Sequence, residues 1–308
     1  MHDDVLHLFH PATGRWFRES FAEPTPAQVQ GWPRIAAREN TLILAPTGSG
    51  KTLAAFLYAI DELMQRDESG SEPRGVHTLY LSPLKALAND IERNLDPPLK
   101  GIRACAERQG LDLPEIRVGL RTGDTSAAER QRMIRNPPDL LITTPESLHL
   151  LLTSIKAREM LRTVRYVIVD EIHALCPNKR GTFLAILLER LEALVERPTI
   201  RIGLSATQRP LDDVARFLGG YEKDGTPRPV AIIDAGMRKA MDLAIVSPVD
   251  DMKDLPRAAD GTLSIWPAIY ERLLDFVSQH ASTLIFANSR RVVERIGSIS
   301  RYRQSTIR

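Results

Sequence analysis

The sequence predicts an α/β fold in which helices cover both faces of a doubly wound, mostly parallel sheet. Short apolar segments bounded by turn residues alternate with longer segments of helical period, which is the pattern of successive βαβ units. The short segments are rich in β-branched residues and lack polar alternation, so we expect both faces of the sheet to be buried. With 308 residues and 43% hydrophobic content, the chain can bury one sizeable core and the beginning of a second.

The elements of the first domain follow one another in a regular order. The predicted strands are residues 41–45, 78–82, 116–120, 140–143, 166–170, 200–205 and 230–233. The predicted helices, each with apolar residues three or four positions apart, are residues 51–65, 85–94, 126–134 and 183–195. The glycine- and proline-rich stretch 219–229 indicates a boundary region.

We place the domain break near Ala235, so that residues 1–234 form the first domain and residues 235–308 begin a second one. In the second domain the pattern predicts strands at 242–246 and 283–287, a helix at 266–280 and another after Asn288. Two strands are too few to close a core, so this domain is expected to be incomplete.

Composition restricts the class of protein. The net charge of +2 is too small to indicate a polyanionic partner, so any nucleic-acid site must depend on a local cluster of charged residues. Cys105 and Cys176 have no paired spacing and no nearby histidine pair, so we expect neither a disulfide nor a zinc site. The sequence has no secretory signal pattern and no apolar stretch long enough to span a membrane, which favours a cytoplasmic protein without a membrane partner.

A phosphate-binding loop is predicted between the first strand and the helix that follows it. Glycines there can adopt positive φ, so that backbone N–H groups surround a phosphate at the helix N-terminus. The lysine supplies a positive charge, and the following threonine hydroxyl can bind Mg²⁺ that bridges the phosphates of ATP. The first position is Ala45 where the strict pattern has glycine, and a glycine-rich turn before a core helix is the alternative. The nucleotide-binding residues are Pro46, Thr47, Gly48, Ser49, Gly50, Lys51 and Thr52.

Two adjacent carboxylates follow the apolar strand at 166–170. Ligands bind at the carboxyl ends of strands in open α/β sheets, so this position suits a catalytic pair. We assign Asp170 to the Mg²⁺ shell and Glu171 to the orientation and deprotonation of the attacking water. A solvated strand end is the alternative when the pair is taken alone.

These segments resemble the motifs of the DExH-box helicases of superfamily 2. Residues 170–173, Asp-Glu-Ile-His, match motif II, which adds His173 to the catalytic group, and residues 205–207, Ser-Ala-Thr, match motif III. In that family motif III links the nucleotide state to the grip on nucleic acid, which implies a coupling role for Ser205 and Thr207. Residues 23–28 resemble the Q motif, which implies that Gln28 contacts adenine; a surface glutamine is the alternative. The adenine-stacking aromatic residue is left open among Phe9, Trp16 and Phe17.

The resemblance is strongest to the large helicase-related (Lhr-like) proteins, and it extends from about Leu8 to Val293. It implies RecA-like domains and an ATP- and Mg²⁺-dependent helicase that moves 3′ to 5′ on single-stranded or partly duplex DNA in a repair context, with RNA left open as a partner. Segments resembling motifs Ia, Ib and IV, together with residues 121–124, Arg-Thr-Gly-Asp, imply contacts with the sugar-phosphate backbone. A plain helix start is the alternative for the Thr-Pro pair at 144–145. The implied nucleic-acid residues are Pro83, Lys85, Asn89, Arg121, Thr122, Gly123, Thr144, Pro145, Ser289 and Arg290.

The chain also departs from that family. Lhr-like proteins are much longer, and the motifs V and VI of their second motor domain, which bring the arginine finger, have no counterpart here. We therefore expect weak or absent turnover from this chain by itself. A truncated gene, a frameshift and a sequence fragment would each explain the difference. A non-catalytic fragment that binds nucleotide and nucleic acid is the alternative function, and the oligomeric state is left open.

Overall fold

One parallel sheet carries all seven strands that the sequence predicts before residue 235 in the computed structural model, which describes residues 5–66, 74–206, 210–236, 242–257 and 261–304. The strands are β1 Asn40–Leu44, β2 Thr78–Leu81, β3 Val118–Arg121, β4 Leu140–Thr143, β5 Tyr166–Val169, β6 Ile200–Ser205 and β7 Val230–Asp234. Their order is β3-β4-β2-β5-β6-β1-β7, and every adjacent pair is parallel. The carboxyl ends of all strands therefore lie at one edge of the sheet.

Helices cover both faces, as the uninterrupted apolar strands require. Those of the first unit are α1 Pro11–Ser20, α2 Pro26–Ala36, α3 Lys51–Met64, α4 Lys85–Glu107, α5 Ala127–Arg135, α6 Pro145–Thr153, α7 Ile155–Glu159, α8 Lys179–Glu192 and α9 Leu211–Gly219. Successive residues of a strand alternate between two cores: Ile43 packs in the core with α1 to α4, whereas Leu42 and Leu44 pack in the core with α6 to α9. The predicted doubly wound α/β fold is confirmed.

The helix α4 extends well beyond the predicted end at residue 94. Pro97 and Pro98 both lie inside it, and prolines at those positions led us to predict an earlier end. Apolar residues on both sides of the prolines, Leu95 and Ile102, are buried in the same core, and this packing keeps the chain helical through the interruption.

The structure divides the chain into two compact units, residues 1–238 and 239–308. In the second unit, helices α10 Trp266–Gln279 and α11 Arg290–Gln304 pack through Arg295, whose guanidinium lies 4.2 Å from the centroid of the Trp266 ring. The strands predicted at 242–246 and 283–287 were wrong, since both segments are irregular. A strand needs a hydrogen-bonding neighbour, and the described part of this unit offers these segments none, so side chains such as Ile245 and Phe286 are exposed. That the unit belongs to a second RecA-like domain remains a prediction.

Within the described residues, the structure contains no helix that is both long and apolar enough to cross a membrane.

Candidate nucleotide and nucleic-acid sites

The loop between β1 and α3 has the backbone geometry of a phosphate cradle. Gly48 and Gly50 have φ angles of +80° and +76°, which side-chain-bearing residues rarely adopt. A Cβ on Gly50 would also lie 2.8 Å from Nε2 of Gln28, so a larger residue there would strain the backbone and force the Gln28 side chain to move. The Ser49 hydroxyl donates to the Pro46 carbonyl oxygen at 2.7 Å, which closes the turn before α3 begins at Lys51.

Gln28 connects helix α2 to this loop. Its Oε1 accepts a hydrogen bond from the Thr25 N–H at 2.9 Å, and its Nε2 donates to the Gly50 carbonyl oxygen at 3.3 Å. The first bond forms part of the capping box that begins α2, so one side chain both starts a helix and fixes the phosphate loop. The side chain is buried. The second hydrogen on Nε2 of Gln28 takes part in neither of these two bonds. The adenine contact of Gln28 stays a prediction.

Lys51 is a buried cation at the centre of the site. Only 6% of the residue is exposed. Its Nζ lies 3.5 Å from the Ala45 carbonyl oxygen and 3.7 Å from Oε1 of Glu171. A buried ammonium needs anionic partners, and the pair with Glu171 is too long to include a hydrogen bond.

Asp170 follows β5 and is held from two sides. The Tyr80 hydroxyl donates to Oδ2, and the Glu171 N–H donates to Oδ1 at 2.9 Å. Burial raises the pKa of Asp170 above its usual value; the hydrogen bond from Tyr80 opposes this shift, the charge of Glu171 adds to it, and Lys51 opposes it. The site therefore holds a carboxylate that is costly to ionise unless a cation is bound beside it.

Glu171 has an unusual backbone conformation. Its φ of 46° is left-handed, which among the described residues other than glycine is shared only with Arg38. This conformation costs about 1–2 kcal/mol for a side-chain-bearing residue. It turns the Glu171 carboxylate between Lys51 and His173, whose Nε2 lies 3.2 Å from Oε2.

A polar chain leads from the acid pair to the strand β6. Nδ1 of His173 lies 3.3 Å from the Ser205 hydroxyl, and the Ser205 carbonyl oxygen accepts a hydrogen bond from the Ala45 N–H at 3.1 Å. The structure thus brings together the phosphate loop, the acid pair, His173 and Ser205 at one edge of the sheet. Thr207 lies outside the described residues.

A cavity of about 630 Å³ opens in front of these groups. Lys51, Asp170 and Glu171 line its polar end, together with the phosphate-loop residues Thr47, Gly48, Gly50 and Thr52. The other end is apolar and lies against α1, α3 and α4.

An aromatic residue outside the three adenine-stacking candidates, Phe21, follows α1, is 43% exposed and lines the apolar end of the cavity beside Trp16. The candidates Phe9, Trp16 and Phe17 are all buried. Phe21 lies in the same aromatic cluster as two of them, so its exposure could not be read from the sequence.

The groups around Asp170 fit a hard divalent cation. Asp170 and Thr52 supply oxygen donors beside the phosphate loop, and a carboxylate oxygen with one accepted hydrogen bond keeps a lone pair for a metal. Mg²⁺ is usually bound by one or two such side chains, with phosphate oxygens and water completing its shell, and this sparse donor set has that character.

The residues predicted to contact nucleic acid divide into exposed and buried groups. Lys85 and Asn89, at the start of α4, are exposed and line a polar cavity of about 700 Å³ with Thr122. Arg121 and Thr144 are buried, and the Thr144 side chain caps α6 by accepting from the Ser147 N–H at 3.4 Å. In this conformation the Thr144 side chain stabilises the start of α6. Pro83 and Pro145 are likewise buried, and Gly123 lies against the Lys85 ammonium.

The predicted residues of the second unit form the start of a helix. The Ser289 hydroxyl accepts from the Val292 N–H at 3.4 Å, and Arg290 is the first residue of α11. Their contact with nucleic acid stays a prediction.

Comparison with known proteins gives consistent matches. A model of the DEAD/DEAH box helicase family matches residues 25–214. The Lhr helicase/probable uracil glycosylase of Mycolicibacterium smegmatis is 52% identical over 96% of this chain and 19% of that protein. The ATP-dependent helicase Lhr-Core protein 2 of Thermococcus barophilus is 48% identical over 96% of this chain and 33% of that protein. The chain thus spans 19% to 33% of the length of these relatives.

Among solved structures, Mycobacterium smegmatis helicase Lhr bound to ssDNA and AMP-PNP is similar over 98% of this chain and 37% of that chain, with a TM-score of 0.80 and 51% identity. The motif-based resemblance drawn from the sequence is confirmed by these matches.

Proposed function

Because the chain belongs to the DEAD/DEAH box helicase family, we propose that its first 234 residues form the ATP-binding and hydrolysing part of a helicase motor acting on single-stranded DNA. The observation that carries this proposal is one cavity lined by the glycine-hinged phosphate loop, the buried Lys51 ammonium and the acid pair. A relative of known structure binds both AMP-PNP and ssDNA, which supports the two ligands proposed here.

We assign the phosphates of ATP to the backbone N–H groups of the loop and to Lys51. The Lys51 ammonium lies beside Glu171. Phosphate oxygens at the loop would compete for that ammonium, because a charge-assisted hydrogen bond is stronger than a 3.7 Å ion pair. Glu171 would then be free to hold and deprotonate the attacking water.

Asp170 and Thr52 are the residues that would hold Mg²⁺, which when bound neutralises charge on the β- and γ-phosphates. A cation there also removes the cost of ionising Asp170 in its buried position. His173 and Ser205 connect Glu171 to β6, so a movement of the Glu171 carboxylate on ATP binding would be transmitted to β6 and the segment after it.

We further propose that translocation is 3′ to 5′ and that the biological context is DNA repair; both extend the family resemblance beyond the observed geometry. RNA is the alternative strand. Turnover at a helicase-like rate requires an arginine finger, which motifs V and VI would supply. We therefore expect this chain to bind ATP but to hydrolyse it slowly.

Binding of a fluorescent ATP analogue tests the site directly. Lys51→Ala should weaken binding about tenfold or more, since a hydrogen bond to a charged group contributes about 1.5–3 kcal/mol. Glu171→Gln should leave binding within about twofold, because the glutamine keeps the shape of the side chain. The matched control is Lys100→Ala, which removes an exposed lysine far along α4. Equal affinities in Lys51→Ala and the control would exclude Lys51 from the phosphate site.

A further inference from the structure

The exposed lysine that the helicase resemblance assigns to nucleic-acid binding, Lys85, forms an ion pair with an acidic side chain. Oδ1 of Asp124 lies 2.7 Å from Nζ of Lys85, the first residue of α4. Both side chains are more than half exposed. A cation is unfavourable at a helix N-terminus, so Lys85 requires a nearby anion, and in the free protein Asp124 provides it.

Hydrogen bonds hold the loop that carries Asp124 in one conformation. The Thr122 N–H donates to the Thr125 hydroxyl at 2.9 Å, and the Asp124 N–H donates to the Thr122 hydroxyl at 3.3 Å. From α5, Nη2 of Arg130 donates to the Gly123 carbonyl oxygen at 2.9 Å. These bonds fix the backbone of the turn on both sides of Asp124, whereas its exposed carboxylate is held by the pair with Lys85.

The surroundings of this carboxylate contain more cations than anions. Arg121, which immediately precedes the loop, is 7% exposed, and its Nη1 has no hydrogen-bond partner among the residues that the structure describes. Nε of Arg130 is also buried and unpartnered within the described residues. Burial lowers the pKa of Arg121, and the neighbouring charge of Arg130 adds to this effect. Two guanidinium groups and one ammonium thus lie around the loop, and the cavity beside it adds Arg117 and Arg132 to the cations and Glu92 and Glu129 to the anions.

We propose that the Asp124 carboxylate occupies a site for a backbone phosphodiester, and that nucleic acid binds there by displacing it from Lys85. A phosphodiester carries the same single negative charge and offers two unesterified oxygens, so it can replace the carboxylate as the partner of the Lys85 ammonium. The inference rests on the proposed function, since it names the group that a strand would present to this surface. Its consequence is that Asp124 weakens each encounter with the strand and favours release.

The competing explanation is a surface ion pair that is unrelated to the strand. A double-mutant cycle distinguishes the two, because competition by Asp124 requires Lys85 whereas general repulsion does not. The variants are Asp124→Asn, Lys85→Met and their combination. Glu92→Gln is the matched control, because Glu92 lines the same cavity and the substitution removes the same charge. Among the described residues Glu92 forms no ion pair with Lys85.

Affinity for a fluorescently labelled single-stranded oligonucleotide of mixed sequence is measured by anisotropy at low and high salt, on the full chain. Asp124→Asn should tighten binding about fivefold at low salt, as expected from the release of an exposed ion pair. Glu92→Gln should change affinity less than about twofold. The gain from Asp124→Asn should disappear in the Lys85→Met background and shrink at high salt. Unchanged thermal unfolding would verify that all variants are folded.

Two results overturn different parts of the reasoning. Equal gains from Asp124→Asn and Glu92→Gln, or a gain that persists without Lys85, would overturn the phosphodiester site while leaving the helicase proposal intact. Failure of the parent chain and of Asp124→Asn alike to bind any strand would overturn the proposed function, and this site with it.

Discussion

Replacing Arg201 by methionine should cost far more stability than the same change at any surface arginine. The side chain of Arg201, on β6, is 2% exposed; Nη1 donates to Oε1 of Glu189 at 3.0 Å and Nη2 donates to Oε2 of Glu192 at 3.2 Å. The same guanidinium also donates to the carbonyl oxygens of Leu218 and Gly219. It therefore joins the sheet to α8 and to the end of α9.

The magnitude follows from what the methionine would leave behind. Breaking a buried ion pair by removing one partner costs about 3–5 kcal/mol. Glu189 keeps Arg228 at 2.7 Å, and Glu192 keeps the Thr199 hydroxyl at 2.6 Å, so we expect the lower end of that range. For a domain of this size, a loss of about 3 kcal/mol lowers Tm by about 6–12 °C.

Thermal and urea unfolding, followed by circular dichroism, would measure this loss. The control is Arg216→Met, in which the arginine is 52% exposed and pairs with Asp213 one turn away on α9. That pair should contribute less than about 1 kcal/mol. If Arg201→Met and Arg216→Met lower the free energy of unfolding equally, the network is not the stabilising connection described here.

Three further outcomes are expected. Asp170→Asn should stabilise the chain without nucleotide at neutral pH. The pKa of Asp170 is raised in the folded state, so its ionisation, which develops as pH rises above the unfolded value of 3.8, opposes folding. In urea unfolding the gain should vanish below about pH 4, and an Asn variant that is less stable than the parent at pH 7 would reverse the assigned sign. Tyr80→Phe should lower stability at pH 7 by about 1–3 kcal/mol, since it removes the donor to Asp170, whereas the exposed control Tyr221→Phe should change it little; equal effects would discount the Tyr80 hydrogen bond. Gly50→Ala should weaken binding of the ATP analogue, because the new Cβ would strike Gln28, whereas Gly225→Ala meets backbone strain alone and should leave binding unchanged; unaltered binding in Gly50→Ala would contradict the close approach.

The sequence was informative where one local rule determines the structure. Strand β5 and the acids after it were placed correctly because a short apolar segment rich in β-branched residues favours a buried strand over a helix. Likewise, Gly48 and Gly50 predicted a loop of positive φ. The left-handed φ of Glu171 has no such local signal, since a residue other than glycine rarely adopts it and the carboxylate there contacts Lys51, far earlier in the chain.

Other features depend on contacts between distant segments. Gln28 could be assigned to the site from its motif, but its bond to Gly50 requires α2 to pack beside the phosphate loop. The exposure of Phe21 and the burial of Arg121 depend on which helix covers each residue. The pairing of Lys85 with Asp124 joins segments 39 residues apart, so no pattern within either segment predicts it.

The two adjacent prolines in α4 have a mechanical consequence. A proline lacks the N–H that would bond the carbonyl oxygen four residues earlier, so the helix loses two consecutive backbone hydrogen bonds at Pro97 and Pro98 and bends there at lower cost than elsewhere. The segment before these prolines carries Asn89 on the wall of the polar cavity and Asn94 on the wall of the cavity beside the phosphate loop. Because one helix lines both cavities, a change in its bend at the prolines would alter the shape of both.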